Sequence, residues 1–369
     1  MRVALVNAGS PVGQKIARHL ISLGGLGQQD GVVIVNCSHH QDNLLEDVTP
    51  LENVSGPEVV LCTGEGGIAA DFVLVCPDAR CEEADAKDVV GLLLPDWLRL
   101  GDVLAQSAGS FLGGVFVATD ANEFAVDVLT DFMPPERVVG LGAYLDACFL
   151  CGQLAGVLGV DRERIRASVG GGQKWGSVPL LSTVYVLGLS DVVFQNRLEA
   201  AGLMADNEQF FAEFLRARKQ IQSFISVGQR EVAQQRLSSC QKGVMACLNP
   251  LLMTEDALCQ DTVASLIQLI YMLRAGDPIM MGAQVRRPWG QIDLEEALPV
   301  GRPCLVGVNG VIDELELQIT ELERAALKSS AKEMKRAFDT WPWPVNTEGL
   351  VSKQTENLTD DRVTVCGLV

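Results

Sequence analysis

The chain has 369 residues, 48% of them hydrophobic and 21% charged, with a formal net charge of −18. That length holds two domains with full cores, and that composition excludes disorder over most of it. The acidic balance excludes nucleic acid and an anionic membrane as partners, because both need a cationic face.

Eleven cysteines are scattered singly, the closest being Cys76/Cys81 and Cys148/Cys151. The second pair has C-x-x-C spacing, but no further pair or nearby histidine completes a zinc site. Its apolar setting, Tyr144 to Val160, reads as a buried helix whose thiols act as small hydrophobes. Such usage fits the cytoplasm or another reducing soluble compartment. A strand starting at Arg2 is read as leaving no room for a leader. No membrane insertion is expected either, since the closest apolar run, Val178–Val193, is broken by Asp191.

In chain order, Arg2–Val6 is a short apolar strand, followed by the turn Asn7-Ala-Gly-Ser-Pro-Val-Gly13 and an amphipathic helix, Gln14–Leu23. Gly31–Val35, Val59–Cys62, Phe72–Cys76 and Val115–Ala118 read as further strands. Strands alternating with helical stretches predict an α/β fold, with a Rossmann-type doubly wound parallel sheet over residues 1–140. Helices then dominate, at Asn207–Ser226, Gln229–Leu248 and Thr262–Arg274. Pro303–Val308 and Ile312–Ile319 read as paired strands around an Asn309-Gly310 turn. Thr320–Asp339 is a charged helix with Thr320 as N-cap and Glu323 placed for a capping box. Residues 141–340 are thus an α+β C-terminal domain, and 341–369, opening Trp-Pro-Trp-Pro, form a polar extension.

Several strings, in this order, resemble the lactate/malate dehydrogenase family from residue 1 to about 340. They are Val126-Asp-Val-Leu-Thr130, Pro135 through Asp146, Leu154 through Val160, Val178-Pro-Leu180, Gly307-Val-Asn-Gly310 and Leu327-Lys-Ser-Ser-Ala331. The resemblance implies hydride transfer between a nicotinamide and a 2-hydroxy acid. That chemistry needs a histidine oriented by an aspartate, an arginine gripping the substrate carboxylate, a second arginine on a mobile loop, and a glycine turn for the pyrophosphate.

Set against this pattern, Gln173 falls at the histidine position, and glutamine cannot exchange a proton near neutral pH. The three histidines are His19, His39 and His40, all far upstream. The orienting aspartate remains as Asp146, which without an imidazole is read as a cap for the following helix. Cys151 falls where the carboxylate clamp belongs, so a 2-hydroxy acid is expected to bind poorly. Arg99 is either the loop arginine or a helix-surface charge. Phe124-Ala125 replaces the family's asparagine–proline, placing apolar bulk on the nicotinamide side.

The cofactor candidates are Gly9, Ser10, Val12 and Gly13 of the turn and Asn36 at the end of the second strand. Asn7 stands at the first glycine of the turn and tolerates left-handed backbone. Asn36 replaces the ribose-gripping carboxylate, and Asp78 places a negative charge beside the pyrophosphate. No resident cofactor is expected, and NAD(H) only weakly. The leading expectation is a pseudoenzyme with a structural or assembly role, as a homo-oligomer or a subunit of a complex. Its tail either docks on a neighbour or folds back. The other expectation is an NAD(P)-dependent oxidoreductase that moves its proton with Lys174 or Asp146.

Overall fold

The computed structural model describes residues 1–22, 26, 30–35, 58–62, 68–77, 86–107, 111, 113–119 and 121–341. Asn36, His39, His40, Asp78, the Lys174 side chain and the tail beyond Trp341 lie outside the described residues. Within them, β1 (Arg2–Val6), α1 (Pro11–Ser22), β2 (Gly31–Val35), β3 (Glu58–Cys62), β4 (Phe72–Val75), α2 (Ala86–Gln106), β5 (Val115–Val117), α3 (Asn122–Leu129) and β6 (Val138–Gly140) form the first half. The second half holds α4 (Gly142–Leu158), β7 (Ile165–Gly172), the single-turn α5 (Gln173–Gly176), β8 (Ser177–Val186), α6 (Asp191–Ala201), α7 (Glu208–Ser226), α8 (Arg230–Ser238), α9 (Lys242–Leu248), α10 (Glu255–Ala275), β9 (Ile279–Trp289), β10 (Leu294–Gly307), β11 (Gly310–Glu314) and α11 (Glu321–Thr340).

The first six strands run parallel in the order β3-β2-β1-β4-β5-β6. The direction of winding reverses between β1 and β4, so a crevice opens beyond their C-terminal ends. β-Branched residues fill these strands because both faces are covered. Alternation splits each strand between two cores, with Ala4, Val6, Val33 and Val35 packed on one face and Val3, Leu5, Val32 and Ile34 on the other.

The sheet continues through Gly140, which pairs antiparallel with Gln284 of β9, and on through β10, β7 and β8. This second half is antiparallel, with β9 and β10 joined by a long ladder and β11 turning back on β10. The fold is therefore the expected α/β class. A Cβ at Gly310, whose φ is +110°, would stand 2.2 Å from the Glu136 carbonyl oxygen, so this hairpin turn requires glycine.

Three details depart from the sequence reading. The helix expected over Gln229–Leu248 breaks into α8 and α9. The Ser238, Ser239 and Cys240 side chains bond back to the carbonyls of Gln234 and Arg236, ending the first helix. The strand expected over Ile312–Ile319 starts at Gly310 and stops at Glu314. Strands β7, β8 and β9 were not anticipated, because glycines, prolines and arginines interrupt their alternation. The capping box at Thr320/Glu323 is formed as expected.

Candidate functional site

The Asn7 turn keeps the dinucleotide-turn shape. Asn7 adopts φ +57° in the left-handed region that glycine normally supplies. Its amide donates to the Cys76 carbonyl at 3.3 Å, while its buried Oδ1 has no partner. Gly13 is required here, since a Cβ would lie 2.4 Å from the Asn7 carbonyl oxygen. The donors at the helix start, however, are largely committed. Pro11 has no N–H, Gly13 N donates to Ser10 Oγ at 3.1 Å, Gln14 N to Ser10 O at 2.8 Å, and Ser10 N to Asn7 O at 3.0 Å. Val12 turns its side chain into the core, and Gly9 is half-buried.

Gln173 opens α5 where β7 ends. Its Oε1 accepts from the Asn122 amide at 2.9 Å, and its backbone N–H donates to Glu123 Oε1. Gln284 of β9 closes the group. Its amide donates to Glu123 Oε1 at 3.1 Å, and its oxygen accepts from Gly142 N at 2.7 Å. Asn122, Glu123 and Gln284 are all fully buried. The centre of the fold is thus an amide network around one carboxylate, with no imidazole in it. Asn122, Glu123 and Gln284 were missed from sequence because two lie ahead of the recognised Val-Asp string and the third sits on an unanticipated strand. His19, by contrast, pairs with Tyr271 on α10, at 2.8 Å, away from this group.

Asp146 requires a correction. It does not cap a helix but lies in the second turn of α4, whose N-cap is Leu141. Its carboxylate accepts the Ser177 hydroxyl. Burial, reinforced by the nearby Glu123 charge, outweighs that hydrogen bond and raises its pKa from the ordinary carboxylate value to about 7.

Cys151 also requires correction. Asp146, Phe149 and Leu150 share one face of α4 and line a cavity of about 180 Å³ with Gln173 and Ser177. Cys151 lies on the other face with Tyr144, Ala147 and Cys148, lining a separate cavity of about 420 Å³. On a helix, three residues on from Asp146 brings Phe149 onto its face, whereas five residues on carries Cys151 past it. Phe149, not Cys151, therefore lines the cavity beside Gln173. The Cys151 thiol is pushed up to about 11 by burial and stays protonated.

Phe124 is likewise turned away from the site. It stacks on Phe338 of α11 with centroids 4.4 Å apart and planes 4° from parallel, and Trp341 packs beside it at 5.5 Å. Two residues earlier, Asn122 supplies a polar side chain that bonds Gln173. Arg99 sits half-buried on α2, between buried Leu98 and Leu100, on a helix rather than a loop.

One further residue was missed. Arg218 of α7 is 7% exposed and lines the Gln173–Asp146 cavity. Its Nη1 donates to the Ser177 carbonyl at 3.1 Å, and its guanidinium lies 5.5 Å from the centre of the Phe214 ring. The signal available in the sequence was a lone arginine within the apolar stripe of an amphipathic helix, at helical spacing from Phe211, Phe214 and Ile221.

Among the described residues no group of histidine, cysteine and carboxylate side chains could hold a metal ion, and no helix is long and apolar enough to cross a membrane. No family model matches the chain. It is 23% identical over 347 residues to an L-lactate dehydrogenase of Streptococcus suis, covering 92% of this chain and 93% of that one. Its structure superposes on a minor L-lactate dehydrogenase of Enterococcus mundtii with a TM-score of 0.66 at 18% identity, covering 92% and 96% of the two chains. It superposes on the malate dehydrogenase of Cryptosporidium parvum with a TM-score of 0.62 at 16% identity, covering 91% and 96%. The chain is thus similar end to end to L-lactate dehydrogenases in sequence, and it shares the fold of lactate and malate dehydrogenases.

Proposed function

We propose that this chain is a non-catalytic relative of the lactate and malate dehydrogenases, whose fold serves a structural or assembly role within an oligomer or protein complex. The observation that carries this reading is Gln173. An amide stands where a proton must be exchanged, and it is held by Asn122 and Glu123 inside a closed network. General acid–base catalysis supplies about 10²–10⁴-fold, and an amide supplies none of it. Phe149 on the facing helix adds a second loss, since a phenyl ring cannot grip a carboxylate.

A resident dinucleotide is not part of this reading. Pyrophosphate is held by convergent amide donors at a helix start, and here those of Ser10, Gly13 and Gln14 bond within the turn. Weak NAD(H) binding is the most the turn would sustain. The assembly role is supported by the β8–α6 corner, where Tyr185, Leu187, Val192 and Val193 are exposed, Val192 by 71%. The free thiols of Cys76, Cys148, Cys151, Cys240, Cys247, Cys259 and Cys304 fit work in a reducing soluble compartment.

A second reading rests on Asp146. A buried carboxyl titrating at about 7 suits proton transfer, as in an NAD(P)-dependent oxidoreductase with altered substrate and mechanism. NADH oxidation with a panel of 2-oxo acids separates the two. The non-catalytic reading expects no turnover above buffer and NADH binding weaker than about micromolar by calorimetry. Turnover at an ordinary enzyme rate, abolished by Asp146→Asn, would establish the second reading. Light scattering of the full chain tests assembly, with a dimer or larger species expected.

A further inference from the structure

Arg218 is a buried cation without an anion. It is 7% exposed, and of its five donors only Nη1 has a hydrogen-bond partner, the uncharged Ser177 carbonyl. Its Nε is buried with no partner at all. No described carboxylate lies within ion-pair distance of it. Glu333, exposed on α11, is near enough to favour the charged form but not to bond it. A guanidinium remains protonated even where burial lowers its pKa, so the charge persists. A buried charge left this way is costly, and proteins retain one chiefly where something else supplies the opposite charge.

The space beside it suits a small ligand. The cavity holds about 180 Å³, and an apolar cavity of about 150 Å³ is large enough for benzene. Arg218, Gln173, Ser177 and Gln222 give it polar groups, while Phe149, Leu150, Phe214, Leu248, Leu251 and Pro250 make its apolar walls. Asp146 also lines it. Because burial raises that carboxyl's pKa to about 7, it is mostly protonated in mildly acidic solution and there leaves the positive charge of Arg218 largely uncancelled.

We infer that this cavity binds a small carboxylate with a short apolar body, its head on the Arg218 guanidinium and its tail against Phe149, Leu248 and Leu251. The anchor belongs to α7, whereas the resemblance places the substrate-gripping arginine on the helix that is α4 here. Binding of this kind requires no hydroxyl, no nicotinamide and no turnover, so it stands independently of the reading of function above.

Calorimetry of the full chain at pH 6.5 with butanoate, hexanoate, neutral hexanamide and inorganic phosphate tests it. Saturable binding of a carboxylate is expected, with hexanamide and phosphate at least about tenfold weaker. Arg218→Met should weaken the carboxylate at least about tenfold, and Arg218→Lys, which keeps the charge but not the fork, should fall between. Leu251→Trp, which fills the apolar end, should abolish binding while leaving Arg218 in place, and it decides the matter if the Arg218 variants do not fold. The inference is overturned if no carboxylate binds at about 10 mM, if hexanamide or phosphate binds as well, or if Arg218→Met or Leu251→Trp binds like the parent.

Discussion

The side-chain amide of Asn122 donates to the carbonyl oxygen of Gln173 across 2.9 Å, joining residues 51 apart in the chain. This contact decides which end of the Gln173 amide faces inward, and with Glu123 it ties the start of α3 to the start of α5. Replacing Gln173 with alanine leaves the buried Asn122 donor without its acceptor. A loss of about 1–3 kcal/mol is expected in urea denaturation. The reverse experiment, Gln173→His, restores an imidazole but no guanidinium at Phe149. No 2-oxo-acid-dependent NADH oxidation is expected from it, and a clear rate would count against the non-catalytic reading.

Asp146 makes stability depend on pH in a definite direction. Its folded pKa, about 7, lies above the ordinary value of 3.8, so between these pH values the folded state holds the proton more tightly than the unfolded chain does. Stability attributed to this group is therefore largest below about pH 4 and is lost as pH rises through 7. Each tenfold change in proton affinity is worth about 1.4 kcal/mol. Asp127, raised to about 6 chiefly by burial and lowered in part by Arg286, adds a smaller loss over the lower part of the same range. Denaturation midpoints at pH 5 and pH 8 check this. Asp146→Asn should flatten the decline and be more stable than the parent at pH 8 by about 1–3 kcal/mol.

Glu323 does more than complete a capping box. Fully buried, it accepts from Ser182 N at 2.9 Å, Ser182 Oγ at 2.7 Å and Thr320 N at 2.8 Å, fastening α11 to β8. Thr320→Ala removes the cap and the hydroxyl's bond to the Ala205 carbonyl, with an expected cost of about 1–2 kcal/mol. Glu323→Ala strands several donors and should cost about 3 kcal/mol or more. Comparing the two by chemical denaturation gives the order, and equal costs would show that the contact to β8 contributes nothing.

Gly13→Ala should damage the first turn. The added Cβ meets only backbone, 2.4 Å from Asn7 O and 2.7 Å from Ala8 Cα, and neither can swing aside. A loss of about 1–3 kcal/mol is expected, read as a fall in Tm by calorimetry.

Arg302 is fully buried, with Nη1 2.9 Å from Glu314 and from the Pro288 carbonyl, and Nη2 2.7 Å from the Arg287 carbonyl. It staples β10 to β9 and β11. Removing one partner of a buried pair costs about 3–5 kcal/mol, so Arg302→Ala should lose that much in urea denaturation, whereas breaking the half-exposed Arg287–Glu136 pair should cost under about 1 kcal/mol.

Local rules were enough for the first half of the fold. Continuous β-branched runs such as Gly31–Val35 have one solution, a strand buried on both faces, and Asn7 and Gly13 allow one tight turn between β1 and α1. The capping box at Thr320 is equally local. The absence of histidine beyond residue 40 is a property of composition that no folding could reverse. Tertiary structure decided which side chains meet. Counting along the chain placed Cys151 at the clamp and Phe124 at the site. The 3.6-residue turn of α4 instead presents Phe149, and the packing of α11 turns Phe124 onto Phe338. Glu123, Gln284 and Arg218 come from three separate elements, so their convergence on Gln173 and Asp146 is set by long-range packing, which no local pattern encodes.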